Sequence, residues 1–205
     1  MIVVVDYGVG NVRSVVNALA AAGADARVSA RLEDLRAAER IVLPGVGAFA
    51  DCMRNLVATG LVEPLEDEVR GKGKPFLGIC VGMQLLGGEG HENGVHAGLG
   101  WLAGAVTRFT VEDKGLKVPH VGWNEVIPTR PSILFRGLRE RSTFYFVHSY
   151  HFLCDAPDAV TAVCDYGAPF TAAVEHANIF GTQFHPEKSQ ENGQRVLRNF
   201  LTWRG

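Results

Sequence analysis

Short β-branched runs alternating with helical periodicity predict an α/β chain: a central, mostly parallel sheet flanked by helices, with an antiparallel extension in the C-terminal part. Two observations carry this expectation. Up to about residue 90 the order is strand, helix, strand, helix, strand, helix, which suits a parallel sheet covered on both faces. After about residue 100 strand-like segments follow one another with only turns between them.

Ile2–Val5 is an unbroken β-branched run, as in a strand buried on both faces. The turn-rich stretch Asp6-Tyr7-Gly8-Val9-Gly10-Asn11 follows. Val12, Val15, Val16 and Leu19 then recur at helical spacing, with Asn11 placed to cap the helix and Gly23 to stop it. Ala26-Arg27-Val28 and Arg40-Ile41-Val42-Leu43 read as strands, the second cut off by Pro44-Gly45-Val46-Gly47. Helical patterning runs from about Ala48 to Val69 with a break near Gly60. Pro75–Ile79 is a further buried strand, and a helix over Val81–Leu86 starts directly after Cys80. Strands are expected within 101–109, 116–127, 143–153, 160–165 and 170–184. Val196, Leu197, Phe200 and Leu201 mark one face of a closing helix. No repeat, linker or low-complexity tract is present, so residues 1–205 are expected to form a single domain.

Composition narrows the function classes. At 205 residues the chain can bury roughly 70% of its unfolded surface without disulfides or metal. With 47% hydrophobic and 20% charged residues it has the make-up of a globular protein rather than a disordered one. Twenty Lys+Arg against 22 Asp+Glu give a net charge of −2, which argues against a nucleic-acid or anionic-membrane binder. Cys52, Cys80, Cys154 and Cys164 form no C-x-x-C pair, so zinc-ribbon and thioredoxin-like readings lack support and reduced cytosolic thiols are expected. Met1-Ile2-Val3-Val4-Val5-Asp6 has no basic leader, and no apolar run reaches the ~20 residues of a membrane span. A cytoplasmic protein is the expectation.

Gly78-Ile79-Cys80-Val81-Gly82 places Gly-x-Cys-x-Gly between a buried strand and a helix, the arrangement of a nucleophile elbow with Cys in place of Ser. Residues two positions either side of such a nucleophile must be small, because strand and helix approach closely there. Gly78 and Gly82 meet that demand. The helix start offers N–H groups and positive potential, which favour a thiolate at Cys80 and let the Val81 N–H meet a developing oxyanion. A free cysteine is more often a small core residue; the two flanking glycines reverse that reading for Cys80 alone.

A cysteine nucleophile needs a base, and the base an orienting group. Of the seven histidines, His185 stands in His185-Pro186-Glu187, after the apolar run Ile179–Phe184. In an extended segment residues two apart project to one side, so imidazole and carboxylate can be held together with Pro186 fixing the intervening φ. Other constellations fail. His91-Glu92 has its next histidine at His96, one residue too far for H-E-x-x-H. Gly8-Val9-Gly10 has Arg13 where a third dinucleotide-loop glycine would stand, and Gly71-Lys72-Gly73-Lys74 runs into Pro75 instead of completing a phosphate loop. No metal or nucleotide cofactor is expected.

The segment Gly78-Ile79-Cys80-Val81-Gly82-Met83-Gln84 resembles the nucleophile motif of class I, triad-type glutamine amidotransferases. His185-Pro186-Glu187 resembles their His-x-Glu pair, and Pro44-Gly45-Val46-Gly47 their oxyanion strand. Within that family the likeness is closer to the glutaminase subunits of imidazole glycerol phosphate synthases, enzymes of histidine biosynthesis. Asp6–Asn11, Pro119-His120-Val121-Gly122-Trp123-Asn124, Tyr145–Tyr150 and Phe184–Ser189 carry it, in order along nearly the whole chain, with Val81 and Val121 standing where Leu and Met are expected. The resemblance implies a flavodoxin-like fold and a Cys80, His185, Glu187 triad. It implies an oxyanion site from backbone N–H groups of Val81 and the Val46-Gly47 segment, and a glutamine seat at Gly45, Gln84, Ser149 and Tyr150. It also implies a heterodimer with a (β/α)₈-barrel cyclase that receives ammonia through an internal channel, with Asn11, Trp123 and Lys188 towards that partner. The glutaminase subunit of pyridoxal phosphate synthase and a catalytically silent assembly subunit are the rival readings. The Asp-Tyr-Gly-x-Gly-Asn opening and Gly122-Trp123-Asn124 oppose the first, and the complete triad opposes the second.

Overall fold

The structure, a computed structural model, describes residues 1–205 apart from the side chain of Glu112. Its first part is built from four parallel strands, β1 (Ile2–Val5), β2 (Ala26–Ser29), β3 (Arg40–Gly45) and β4 (Phe76–Cys80), side by side in the order β2-β1-β3-β4. β1 and β4 are buried along their whole length, as their unbroken apolar runs require. Between strands lie α1 (Val12–Ala21), α2 (Leu32–Ala37), α3 (Phe49–Ala58) and α4 (Val62–Glu66). Asn11 caps α1 by accepting from the Ser14 N–H at 3.3 Å, and Gly23 leaves the helix at φ +96°. The helical stretch 48–69 does break at Gly60, and α4 continues as a π-helical turn, Asp67–Gly71. α2 was not anticipated, because six residues with one buried apolar side chain, Leu35, show no helical period.

A single turn, α5 (Val81–Gln84), follows β4. Beyond it come β5 (Glu89–Gly90), β6 (His96–Ala97), β7 (Gly104–Arg108), β8 (His120–Pro128), β9 (Ser142–His148), β10 (Tyr150–Cys154), β11 (Val160–Asp165), β12 (Pro169–His176), β13 (Ile179–Thr182) and the closing helix α6 (Gln190–Thr202). The large sheet has nine strands in the order β2-β1-β3-β4-β13-β12-β11-β8-β9. It is evenly mixed rather than mostly parallel: pairing is parallel from β2 to β13 and antiparallel from β13 to β9. The reason is the β12–β13 hairpin, which returns the chain so that β13 runs parallel to β4, with Thr182 opposite Ile79.

The antiparallel extension also divides. Segment 143–153 is interrupted at Ser149, so that β9 stays in the large sheet while β10 joins a second, four-stranded sheet ordered β10-β7-β5-β6. Along β9 the buried Phe144, Phe146 and His148 alternate with outward Thr143, Tyr145 and Val147, the period of a sheet with one covered face. Phe144 stacks on Phe184 with ring centroids 4.1 Å apart, and Val196, Leu197 and Phe200 of α6 close the core behind them. Among the described residues, no helix is long and apolar enough to cross a membrane.

Candidate active site

β4 delivers Cys80 at its C-terminal end, opposite Gly45 of β3. Cys80 adopts φ 56°, ψ −113°, a conformation that costs a side-chain-bearing residue roughly 1–3 kcal/mol and is held by its surroundings. Those surroundings demand glycine. A Cβ on Gly82 would lie 1.9 Å from the Leu43 carbonyl oxygen, and one on Gly78 2.5 Å from that of Gly82. A Cβ on Gly45 would come within 2.9 Å of the Tyr7 hydroxyl and 2.7 Å of the Gly82 nitrogen. The strand, elbow and helix turn therefore touch backbone to backbone. α5 is shorter than the Val81–Leu86 span anticipated, because Leu86 turns away with its N–H on Met83. One turn has little macrodipole to lend, so the N–H groups immediately around Cys80 matter more.

His185 and Glu187 come together at 2.8 Å between Nδ1 and Oε1, both side chains almost wholly buried. The local geometry differs from the extended segment that the spacing suggested. β13 ends at Thr182, and Pro186–Lys188 is a 3₁₀ turn that begins on the proline, whose missing N–H suits a first helical position. The turn, rather than strand alternation, brings Glu187 back under the imidazole. The Ser189 hydroxyl donates to the His185 carbonyl at 2.6 Å and locks it. Burial by itself would lower the His185 pKa, but the Cys80 sulfur and the Glu187 carboxylate outweigh it and raise it to about 10. Its Nε2 and the second Glu187 oxygen have no hydrogen-bond partner.

Cys80, His185, Val46, Gly47, Val81, Gln84, Ser149 and Tyr150 line one cavity of about 300 Å³. Every expected oxyanion residue and most of the expected glutamine contacts thus surround the sulfur; Gly45 lies beside it on β3. The Pro44–Gly47 segment is pinned by two side chains: the buried Tyr7 hydroxyl donates to the Pro44 carbonyl at 2.6 Å, and the Cys52 thiol to that of Val46 at 3.4 Å. Gln84 donates to the Tyr150 carbonyl at 2.9 Å and to Gln183 Oε1 at 3.0 Å. Gln183 Nε2 in turn lies 3.7 Å from Cys80 Sγ.

Sequence reasoning missed Glu92, Pro119, Val147 and His148 in the wall of this cavity, and Gln183 beneath it. The Glu92 carboxylate accepts from the Phe49 N–H at 2.9 Å, at the start of α3. Of the expected partner-facing residues, Trp123 and Lys188 meet at Tyr145. The indole packs edge-on at 6.1 Å, and the ammonium lies 5.6 Å from the ring centre. Asn11 is exposed at the start of α1, where its side chain is used as the cap. Among the described residues, no group of three or more His, Cys, Asp or Glu is gathered to hold a metal ion.

The strained cysteine, the buried His–Glu pair and the cavity lie in a chain whose family comparison with known proteins shows. Residues 3–203 match the family described as glutamine amidotransferase class-I. The chain belongs to this family. As a class-I amidotransferase it is 48% identical over 201 residues to imidazole glycerol phosphate synthase subunit HisH 2 of Pseudomonas aeruginosa, with 98% of each chain covered. It is likewise 48% identical to the HisH subunit of Syntrophotalea carbinolica, again over 98% of each. Two solved structures share the amidotransferase's fold. One is described as a glutamine amidotransferase (TM-score 0.74, 20% identity, 97% and 96% covered), the other as PurLQS from Thermotoga maritima (TM-score 0.74, 21% identity, 98% and 96% covered).

Proposed function

We propose that this amidotransferase is the glutaminase subunit of an imidazole glycerol phosphate synthase. It hydrolyses L-glutamine to glutamate and ammonia and hands the ammonia to a cyclase. The carrying observation is that Cys80 and His185 line one cavity, with Glu187 hydrogen-bonded to His185 behind it, in a chain 48% identical to HisH subunits over nearly its full length.

Glutamine sits with its backbone end against Gly45, Gln84 and the Ser149-Tyr150 main chain. Both N–H groups of Gln84 are engaged, so its carbonyl oxygen is the group it offers a substrate donor. The Cys80 sulfur attacks the carboxamide carbon, a C–S bond forms, and the carbonyl electron pair moves onto oxygen. Backbone N–H groups of Val81 and the Val46-Gly47 segment receive that oxyanion. His185, holding the proton taken from the thiol, gives it to the departing nitrogen; the C–N bond breaks and ammonia leaves. Glu187 keeps the imidazole oriented and stabilises its charged form. Water, deprotonated by His185, then attacks the thioester, the C–S bond breaks, and glutamate is released with the thiol restored.

The (β/α)₈-barrel cyclase is read onto the outer face of β8 and β9, where Val121 is 56% and Trp123 47% exposed beside Val147, Tyr145 and Lys188. A row of apolar side chains on an open sheet face suits a protein interface. The ammonia passes internally to the cyclase, which forms imidazole glycerol phosphate and an aminoimidazole carboxamide ribonucleotide.

Glutamate release measured with and without the ligand-loaded cyclase tests the proposal. Weak activity alone, strong stimulation in the complex and loss of both in Cys80→Ala are expected. Full activity in Cys80→Ala, or none in the complete complex, sinks the reading.

A further inference from the structure

The Tyr150 carbonyl accepts two hydrogen bonds, from Gln84 Nε2 at 2.9 Å and from His148 Nδ1 at 2.8 Å. A carbonyl oxygen can only accept, so it sets the polarity of everything attached to it. Gln84 has to present its amide nitrogen, and the second N–H of that nitrogen meets Gln183 Oε1 at 3.0 Å. Gln183 is then obliged to turn its own amide nitrogen the other way, towards Cys80 Sγ at 3.7 Å. A flipped Gln183 would set nitrogen against nitrogen on one side and oxygen against sulfur on the other.

The opposite arm is equally constrained. With Nδ1 of His148 committed as donor, its Nε2 accepts from His120 Nδ1 at 3.1 Å. His120 Nε2 accepts from Asn124 at 3.3 Å, and the other N–H of Asn124 is held by the Asp165 carbonyl at 2.8 Å. A charged imidazole would set donor against donor, and burial keeps both neutral, lowering His120 to about 4 and His148 to about 3. The Tyr150 carbonyl is therefore gripped from two sides by groups with no alternative arrangement. Gln183 itself is fully buried, where a donor aimed at a charged sulfur is worth more than in water.

We propose that Gln183 is a further catalytic residue of the glutaminase reaction: its amide N–H, aimed by this chain of hydrogen bonds, donates to the Cys80 sulfur and stabilises the thiolate. The proposal rests on the reading of Cys80 as nucleophile. Gln183 exchanges no proton. Its bond is stronger to the negatively charged sulfur than to the neutral thioester sulfur, so it favours formation of the attacking thiolate and its departure in the second half of the reaction. The single turn of α5 makes such a donor useful, since little helix dipole is available.

The test is alkylation of Cys80 by iodoacetamide across pH in the full-length protein, followed at the Cys80 peptide by mass spectrometry. Gln183→Met keeps length and removes the donor. It is expected to slow alkylation at pH 7 by about tenfold, as for loss of a hydrogen bond to a charged group. It also moves the rate curve to higher pH, with glutamate release falling alongside. Gln84→Met keeps Gln183 but removes what aims it, and produces a smaller change in the same direction; it supplies the answer if Gln183→Met does not fold. Alkylation curves of both variants that superpose on the parent overturn the proposal, as does a fall in glutaminase activity with unchanged alkylation. Full glutaminase activity in Cys80→Ala overturns instead the nucleophile reading on which it stands.

Discussion

His185 holds its proton unusually tightly for a buried imidazole. Burial pulls its pKa down, but the neighbouring Cys80 sulfur and Glu187 carry it from 6.5 to about 10. A group whose pKa is higher in the folded than in the unfolded chain stabilises the fold fully below the unfolded value, and that contribution disappears as pH rises through the folded value. The stability gap between the parent protein and His185→Gln is therefore expected to be widest near pH 6 and to shrink between 6.5 and about 10. Denaturant unfolding at pH 6, 8 and 10 reads it, and a gap that does not change with pH refutes the coupling. The proposed triad was legible in the chain because both of its parts are local: a Gly-x-Cys-x-Gly turn and a His-x-Glu pair each declare themselves within five residues. Gln183 was not, because a glutamine inside an apolar run looks like an accident until β13 is seen beside β4 and its amide beside the sulfur.

At the scale of the element, the elbow is a three-way backbone contact between β3, β4 and α5. Gly82→Ala drives a methyl to 1.9 Å from the Leu43 carbonyl oxygen, a main-chain atom that cannot rotate aside. A loss of about 3 kcal/mol in urea unfolding, at the upper end for overpacking, is expected together with loss of glutaminase activity. Native stability in that variant would mean that β3 and α5 can separate. Gly47 has nothing within 4 Å of such a methyl, so only its φ of +93° opposes substitution there. The buried parallel strands were easy to read, since unbroken β-branched runs have few other uses. β5 and β6, with two residues each, and the six-residue α2 left no periodic trace. The division of 143–153 between two sheets was equally hidden, because the interrupting residue, Ser149, breaks no hydrophobic pattern.

For the whole molecule, the outer face of β8 and β9 is where an apolar surface is left over after the core is complete. Trp123 stands out from it, braced by Tyr145 and, through that ring, by Lys188. Trp123→Ala is expected to raise the dissociation constant for the cyclase at least tenfold by titration calorimetry, as for an aromatic anchor of an interface. An unchanged affinity would move the interface elsewhere. The four free thiols have a separate consequence. Burial pushes Cys52 up to about 11 and Cys164 up to about 12, and raises Cys154 as well. These three are poor nucleophiles at neutral pH, whereas Cys80 opens onto the cavity. With Cys80 as the proposed nucleophile, an electrophile added in slight excess is expected to act as a titrant of that site: the adduct formed per chain counts competent molecules, and oxidative ageing of a preparation registers at that sulfur.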